Sequence, residues 1–253
     1  MYHAIAQFTL SGAIIVIGLM TLAKVSEPKE APFALLPLFF GLHEFAQGFV
    51  WLGMEHLIPP RAAEMAQTYY VFYAKGFLQF WVPLAIWFLE PVRWRKRLVG
   101  ALAMLGGVLT AYSLWGLSLE PAHVYVMHDA LVYETPRTSY LWLGVAYVLT
   151  TCGSLMLSSS IAIQLYGVLN FIGLSLIFWL RPYAFTSLWC LYAALLSGVL
   201  YFYFVERRIV FLQRLRSREY AISRKLTREL ERLQLRYPHW RERLQRHFSP
   251  LSE

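Results

Sequence analysis

The stretch FFGLHEFAQGFVWLGMEH, residues 39–56, decides the fold class because it combines the length of a membrane helix with polar side chains at its centre. A helix needs roughly 20 mostly apolar residues to cross a bilayer, and this run reaches that length together with the apolar residues before it. His43, Glu44 and Gln47 lie near its middle. The stretch therefore predicts a membrane-spanning helix that carries ionisable side chains at mid-depth.

The composition of the whole chain supports a membrane protein. Of its 253 residues, 58% are hydrophobic and 15% are charged, whereas soluble domains are about 25% charged. Aromatic residues make up 17%, an excess typical of chains whose Trp and Tyr side chains anchor helices at lipid–water boundaries. The two cysteines, Cys152 and Cys190, lie in apolar runs, which excludes a disulfide framework or a CxxC metal site. We therefore predict a polytopic membrane protein.

Seven windows of the sequence are apolar and long enough to cross a bilayer. The first lacks the basic region and the cleavage site of a signal peptide, so we expect it to be retained. Between the fourth and fifth windows, HVYVMHDALVYE (residues 123–134) alternates apolar and polar side chains and predicts a short hairpin or lid. We predict an all-α bundle of seven transmembrane helices, at about residues 4–23, 33–54, 68–89, 98–118, 139–157, 161–180 and 183–205.

The distribution of Lys and Arg predicts the orientation of the helices, because cytoplasmic loops carry an excess of both residues. Basic residues cluster in the first loop, in the third loop and after the seventh helix, and the other loops hold only Arg61, Arg137 and Arg181. The N-terminus is therefore predicted outside and the C-terminus inside. Residues 206–253 carry 13 Lys and Arg against 6 Glu, which gives +7 of the net +8. We predict two domains, a transmembrane domain over residues 1–205 and a basic cytoplasmic tail over residues 206–253.

The seventh helix is predicted to continue into an amphipathic cytoplasmic helix in this tail. Its pattern is typical of a coiled coil that joins copies of the chain, or of a helix that lies on anionic lipid headgroups. A solvated tail with no role is the alternative. The predicted partners are thus the bilayer, anionic lipid and a second copy of the chain, and not nucleic acid. The residues that form the apolar stripe at helical spacing are Leu212, Leu215, Ile222, Leu226 and Leu233.

A polar cluster in the middle of the membrane is the predicted functional site. Burying the Glu44 carboxylate there costs at least about 2.5–3.5 kcal/mol, so the group needs a proton or a cationic partner. Lys75 of the third helix is the candidate partner, because adjacent antiparallel helices would bring the two side chains within reach. Histidines and amides that only pack or join helices are the structural alternative. The predicted transport or ligand-binding residues are His43, Glu44, Gln47, Lys75, Gln79 and Asn170.

Two short segments suggest an internal repeat. GLHEF (residues 41–45) and GVLNF (residues 167–171) share the pattern G-x-x-[E/N]-F, which places Asn170 of the sixth helix where the second helix has Glu44. With the fourth helix as a linker, this pattern predicts a 3+1+3 arrangement of two parallel three-helix units, as in small sugar-type transporters. The analogy concerns the fold alone.

The sequence carries no motif that indicates an enzyme, a cofactor or a metal centre. It contains no G-x-S-x-G, HExxH or phosphate-loop pattern. We therefore expect no catalytic activity, no cofactor and no metal. The His, Asp and Glu residues between the fourth and fifth helices lack the close spacing of metal ligands: His123, His128, Asp129 and Glu134.

One part of the chain resembles a known group of proteins. LPLFFGLHEFAQGFVWLG (residues 36–53), preceded by a short apolar helix and a basic loop, resembles an uncharacterised family of bacterial polytopic membrane proteins. Members are similar over residues 5–54, with a Leu-Pro-Leu start and a Val-Trp-Leu end of the second helix, and match the remainder in layout. The resemblance implies a bacterial inner-membrane protein with seven helices and brings no established activity.

Two functions are compatible with these features. The first is a small channel or carrier for an ion, a proton or a small polar solute, which would use the polar cluster around Glu44. The alternative is a membrane sensor or assembly protein, in which the bundle binds a ligand or lipid and the seventh helix transmits a shift to the C-terminal helix. An intramembrane enzyme is disfavoured, since the sequence offers neither a recognisable nucleophile nor a set of metal ligands.

Overall fold

The structure, a computed structural model, describes residues 2–138 and 140–210, together with Gln213, Glu229 and Arg232. Six helices in this part of the chain are long and apolar enough to cross a membrane, and one further apolar helix, α5, is shorter. This confirms a helical bundle of membrane-spanning type, while a seventh crossing and the orientation stay predictions. The helices are α1 (Tyr2–Leu22), α2 (Pro28–Met54), α3 (Pro60–Leu89), α4 (Arg93–Leu119), α5 (Leu141–Met156), α6 (Ile161–Leu180) and α7 (Pro182–Val210).

Four of these helices are composite. α2 joins a 3-10 turn (Pro28–Glu30), a short helix (Ala31–Ala34) and a long one (Leu36–Met54). α3 joins Pro60–Phe72 to Leu78–Leu89 through a π-turn (Tyr73–Phe77). α5 joins Leu141–Val148 to Ser154–Met156 through a second π-turn (Leu149–Gly153). α7 contains a 3-10 turn (Pro182–Ala184) and Phe185–Ser197, and it resumes after Gly198.

α3 and α4 begin earlier than the hydropathy windows predicted, and so does α2, which begins at Pro28 rather than near residue 33. α3 begins at Pro60 rather than near residue 68, because a proline fits the first turn of a helix, where its missing N–H is not needed. α4 begins at Arg93 rather than near residue 98, so the basic residues form its first turns. A hydropathy window detects only the apolar part of a helix, and both helices extend past that part into polar sequence.

α1 and α2 pack closely as an antiparallel pair. Gly18 of α1 lies against the backbone of Leu38, and Gly41 of α2 lies against the backbone of Ile15. A methyl group at either glycine would overlap the facing chain, so only glycine allows this approach. Further along, Gly48 lies against the ring of Phe8. The close packing brings the polar side chains of α1 and α2 into direct contact.

α2 and α3 form the centre of the bundle. More than half of the most apolar 18-residue stretch of each is buried inside the protein, whereas less than two fifths of the corresponding stretch of each other long helix is buried. α2 packs against α1, α3 and α7, and α3 packs against α2, α4 and α5. Side chains in the middle of α2 are therefore enclosed by neighbouring helices.

The segment between α4 and α5 forms the predicted hairpin. Strand β1 (His123–Met127) pairs antiparallel with strand β2 (Ala130–Glu134), with His123 opposite Glu134. His128 and Asp129 form the turn with φ angles of 47° and 59°. The inner residues of β2 are buried, and β2 packs against α7 and the 3-10 turn before it. This confirms the hairpin and shows that its second strand belongs to the packed core.

The chain divides into two compact units, residues 1–206 and residues 207–253. In the second unit, residues 207–210 are helical, and Arg232 forms an exposed ion pair with Glu229 at 3.0 Å. The predicted apolar stripe of the tail lies outside the described residues: Leu212, Leu215, Ile222, Leu226 and Leu233.

Candidate functional site

Glu44 lies on α2 and its side chain is completely buried. The Gln7 amide of α1 donates to Glu44 Oε2 and, at 3.3 Å, to the main-chain oxygen of Glu44. Among the described residues, Glu44 Oε1 has no hydrogen-bond partner. The carboxyl therefore points into the bundle and keeps one oxygen available.

A chain of amides and a hydroxyl runs from α1 to α7 beside Glu44. Gln7 Nε2 also donates to Gln47 Oε1 at 3.0 Å, and Gln47 Nε2 donates to Ser187 Oγ of α7 at 2.5 Å. Three helices are thus joined by side-chain hydrogen bonds in the interior of the bundle. The structure brings Glu44 and Gln47 together, as predicted, and adds Gln7 and Ser187 to them.

His43 lies between two tyrosine rings of α3. Its imidazole stacks on Tyr70 at 3.9 Å between ring centroids and on Tyr73 at 4.3 Å. Neither ring nitrogen has a hydrogen-bond partner among the described residues. His43 is thus fixed by ring stacking, and both of its nitrogens are buried without a polar contact.

The stack on His43 extends in both directions into a column of six rings. On one side Tyr70 stacks on Tyr133 of β2 at 4.6 Å. On the other side Tyr73 stacks on Phe77 at 5.3 Å, and Phe77 stacks on Trp81 at 5.4 Å. The column connects the hairpin to the interior of α3 and passes through His43.

Lys75 does not pair with Glu44. Its ammonium group donates to Thr135 Oγ1, directly after β2, at 2.5 Å, and forms no ion pair among the described residues. Lys75 lies in the π-turn of α3, while Tyr70 and Tyr73 occupy the face of α3 that contacts His43. The predicted candidate pair is therefore not formed, because aromatic side chains fill the position that Lys75 would need.

Gln79 and Asn170 lie apart from the hydrogen bonds around Glu44. Gln79 donates to the main-chain oxygen of Lys75 in its own helix, and Asn170 donates to the main-chain oxygen of Tyr166 at 2.8 Å. Asn170 also lines a cavity of about 20 Å³ beside the second π-turn. That volume is enough for about one water molecule. Phe40 lines the same cavity and contacts the ring of Tyr73 at 6.0 Å.

β2 contributes to the surroundings of Glu44. Tyr133 is buried, and its hydroxyl has no hydrogen-bond partner among the described residues. Burial and then the neighbouring Glu44 carboxyl raise the pKa of the Tyr133 phenol well above its ordinary value. The phenol therefore remains a neutral group close to the carboxyl.

Buried polar atoms without a hydrogen-bond partner concentrate in this part of the molecule. Each such atom costs about 1–3 kcal/mol, so natural proteins bury few of them. A cluster of this kind indicates a place that binds water, a proton or a ligand. In the part of the chain that the structure describes, the side chains with such atoms are His43, Glu44, Tyr70, Tyr73, Gln79 and Tyr133.

Metal ligation has no geometric support within the described residues, where no three His, Cys, Asp or Glu side chains come together. In the hairpin, Glu134 instead accepts a hydrogen bond from the Tyr125 hydroxyl at 2.8 Å. This bond, more than burial, raises the pKa of the Tyr125 phenol.

Six residues of the site were not predicted from the sequence. Gln7 was detectable as a polar residue inside the first apolar window. The others gave no signal, because tyrosine is common near membrane boundaries. The role of a tyrosine, serine or threonine in such a bundle depends on which helices pack together. The missed residues are Gln7, Tyr70, Tyr73, Tyr133, Thr135 and Ser187.

Helices that can cross a membrane, and a polar cluster enclosed among them, indicate a helical membrane protein with a buried ionisable site. The chain belongs to the family of unknown function DUF6629, whose profile matches residues 1–214. This match is consistent with the resemblance to an uncharacterised family and extends well beyond residues 5–54. No curated protein and no solved structure is detectably similar to the chain.

Proposed function

We propose that the protein is a small channel or carrier that moves an ion, a proton or a small polar solute across the membrane. This proposal rests on the Glu44 carboxyl. The carboxyl is fully buried and forms no ion pair within the described residues, and one of its oxygens has no hydrogen-bond partner among them. An isolated buried carboxylate is too costly to persist, so this group holds a proton or a cationic ligand. Intramembrane carboxyls of this kind mark ion and proton pathways.

The proposed route passes Glu44 and continues toward the cavity beside Asn170. Gln7, Gln47 and Ser187 provide donors and acceptors next to the carboxyl. Tyr73 contacts both His43 and Phe40, and Phe40 lines the cavity. In the proposed transport route, these rings form the barrier between the polar cluster around Glu44 and the cavity beside Asn170.

The proposal places the protein in the inner membrane of a bacterium, with seven crossings, the N-terminus outside and the C-terminus in the cytoplasm. The excess of Lys and Arg in the first and third loops and in the tail supports this orientation. The resemblance described above supports the bacterial membrane. The proposal includes no catalytic step, no cofactor and no metal.

The decisive experiment compares Glu44→Gln with the parent in liposomes that enclose a pH-sensitive dye. A pH gradient or a potassium gradient is imposed, and the rate of internal pH change is recorded. The substitution keeps the shape and the Gln7 contact but removes the exchangeable charge. We expect flux in the parent and background flux in the variant.

Glu64→Gln is the matched control, because Glu64 is an exposed carboxylate near the start of α3. It should leave the flux unchanged. Equal flux in the parent and in Glu44→Gln would rule out the proposed route.

A membrane sensor is the second candidate, and one observation favours it. Ser187 of α7 takes part in the hydrogen bonds beside Glu44, and α7 is the helix that precedes the basic tail in the sequence. A ligand at Glu44 would therefore contact the helix that leads to the tail. Two results together would support this alternative. The parent protein would show no flux, and protonation would change the assembly that depends on the tail.

A further inference from the structure

The hairpin packs into the bundle mainly through its second strand, and in its first strand Val124 is the partly buried residue that packs against the core. Leu131, Val132 and Tyr133 of β2 are buried, whereas Tyr125 and Val126 of β1 are 40% and 47% exposed. A two-stranded hairpin is at best marginally stable by itself in water. Its position therefore depends on the contacts that β2 makes with the helices.

Two of these contacts reach the residues around Glu44. The ring of Tyr133 stacks on Tyr70, which in turn stacks on His43. The Thr135 hydroxyl accepts a hydrogen bond from the Lys75 ammonium group. Both contacts join the segment between α4 and α5 to side chains of α3.

The Lys75–Thr135 bond explains why a lysine lies within an apolar helix. Lys75 is half-buried, and an ammonium group that loses part of its water without a partner is costly. Lys75 forms no ion pair within the described residues. Thr135 is itself buried and supplies an acceptor. If the hairpin moved away, Lys75 would gain water and the space above Tyr70 and Glu44 would open.

We infer that the hairpin of residues 123–134 is a lid over the Glu44 site, with Tyr133 and the Lys75–Thr135 hydrogen bond as its latch. Tyr133 and Thr135 act as positioning residues, because they hold the lid closed over the carboxyl. The role of the lid in transport rests on the proposed function. The claim that the hairpin closes and opens over Glu44 is independent of that function.

Cys190 provides a built-in probe of the lid. It is fully buried on α7 and lies close enough to Glu44, Lys75 and Tyr70 to interact with them electrostatically. The chain contains only one other cysteine, Cys152. In a Cys152→Ser parent, the rate at which a small water-soluble thiol reagent modifies Cys190 therefore measures how often the covered region opens.

The experiment uses the full-length Cys152→Ser protein in detergent, with modification followed by mass spectrometry. Thr135→Val and Lys75→Met each remove one side of the latch. Each should raise the rate about tenfold, since losing a hydrogen bond to a charged group raises the population of the open form by roughly that factor. The double variant should be no faster than Thr135→Val, because Thr135→Val already removes the bond that Lys75→Met removes.

Val126→Ala is the matched control, since Val126 lies on the exposed strand of the hairpin and should leave the rate unchanged. A monodisperse elution profile and an unchanged melting temperature identify variants that remain folded. Equal rates in the parent and all folded variants would overturn the inference, and so would additive effects in the double variant. The labelling does not require transport. If the labelling rates change as expected but the liposomes show no flux, the proposed function is refuted and the inference about the lid stands.

Discussion

At the scale of single residues, two buried carboxyls of this protein have opposite surroundings. The carboxylate of Glu90 accepts hydrogen bonds from the backbone N–H groups of Val92 at 3.0 Å and Ser159 at 2.7 Å. The carboxyl of Glu44 receives one side-chain amide and keeps an oxygen without a partner. Glu90 therefore has the surroundings of a structural residue, whereas Glu44 has those of a binding residue. The sequence could identify Glu44 from its depth, but it could not reveal that Glu90 joins two loops.

Glu90→Gln should lower the stability of the protein by about 1–3 kcal/mol, because the amide group would direct a donor at a backbone N–H that needs an acceptor. The measurement is the free energy of unfolding in detergent, from denaturant titration or from the melting temperature. Glu64→Gln serves as the control, since Glu64 is exposed. Equal stability of Glu90→Gln and the parent would show that the two backbone contacts contribute nothing.

At the scale of elements, the π-turn of α3 determines which side chains meet α2. Two main-chain oxygens of this turn accept hydrogen bonds from hydroxyl groups of α4. Ser113 donates to the oxygen of Lys75 at 3.2 Å, and Thr110 donates to the oxygen of Gly76 at 3.0 Å. A π-turn inserts one residue into the helical repeat and changes the phase of the residues after it. The sequence predicts a helix here correctly but gives no signal for the changed phase. For this reason the helix was predictable and the partner of Lys75 was not.

The hairpin turn is a second element with a testable property. Asp129 has a left-handed backbone at φ 59°, which costs a residue with a side chain about 1–2 kcal/mol relative to glycine. Asp129→Gly should therefore stabilise the closed hairpin and slow hydrogen exchange of the amides of β2, measured by mass spectrometry. Glycine also loses more freedom on folding, so the net gain should be below about 1 kcal/mol.

Val126→Gly is the comparison for that experiment, because position 126 is extended strand and gains nothing from glycine. It should speed exchange in the hairpin. If Asp129→Gly also showed faster hydrogen exchange, that result would contradict the inference that the backbone at Asp129 is strained.

At the scale of the whole molecule, hydropathy predicted the helices and left their arrangement open. Apolar windows located each helix to within a few residues, except that α2, α3 and α4 begin five to eight residues earlier, at Pro28, Pro60 and Arg93. Nothing in the windows indicated that α7 packs on α2, because that contact depends on Gln47 and Ser187, which are 140 residues apart. Asn170 lies at the cavity and not beside Glu44, so the 3+1+3 repeat gains no support from a shared site and stays a prediction.

Deleting residues 212–253 should keep transport and abolish self-association or binding to anionic vesicles. Residues 1–206 form a compact unit of their own, and the segment after residue 205 carries +7 of the net charge. Flux is measured in liposomes, mass in detergent by light scattering, and lipid binding by flotation with phosphatidylglycerol vesicles. A truncated protein that keeps its oligomer and its vesicle binding would contradict the role proposed for the tail.

The contact between α1 and α2 has a consequence for biosynthesis. A chain emerges from the ribosome N-terminus first, so these two helices enter the membrane before α3 and α7 have been made. Gln7, Gly18 and Gly41 all belong to this pair, so the hydrogen bond to Glu44 and the close approach of the two backbones need no later helix. The carboxyl can therefore pass through the translocon as part of a preformed helical pair, shielded from lipid before the remaining helices arrive.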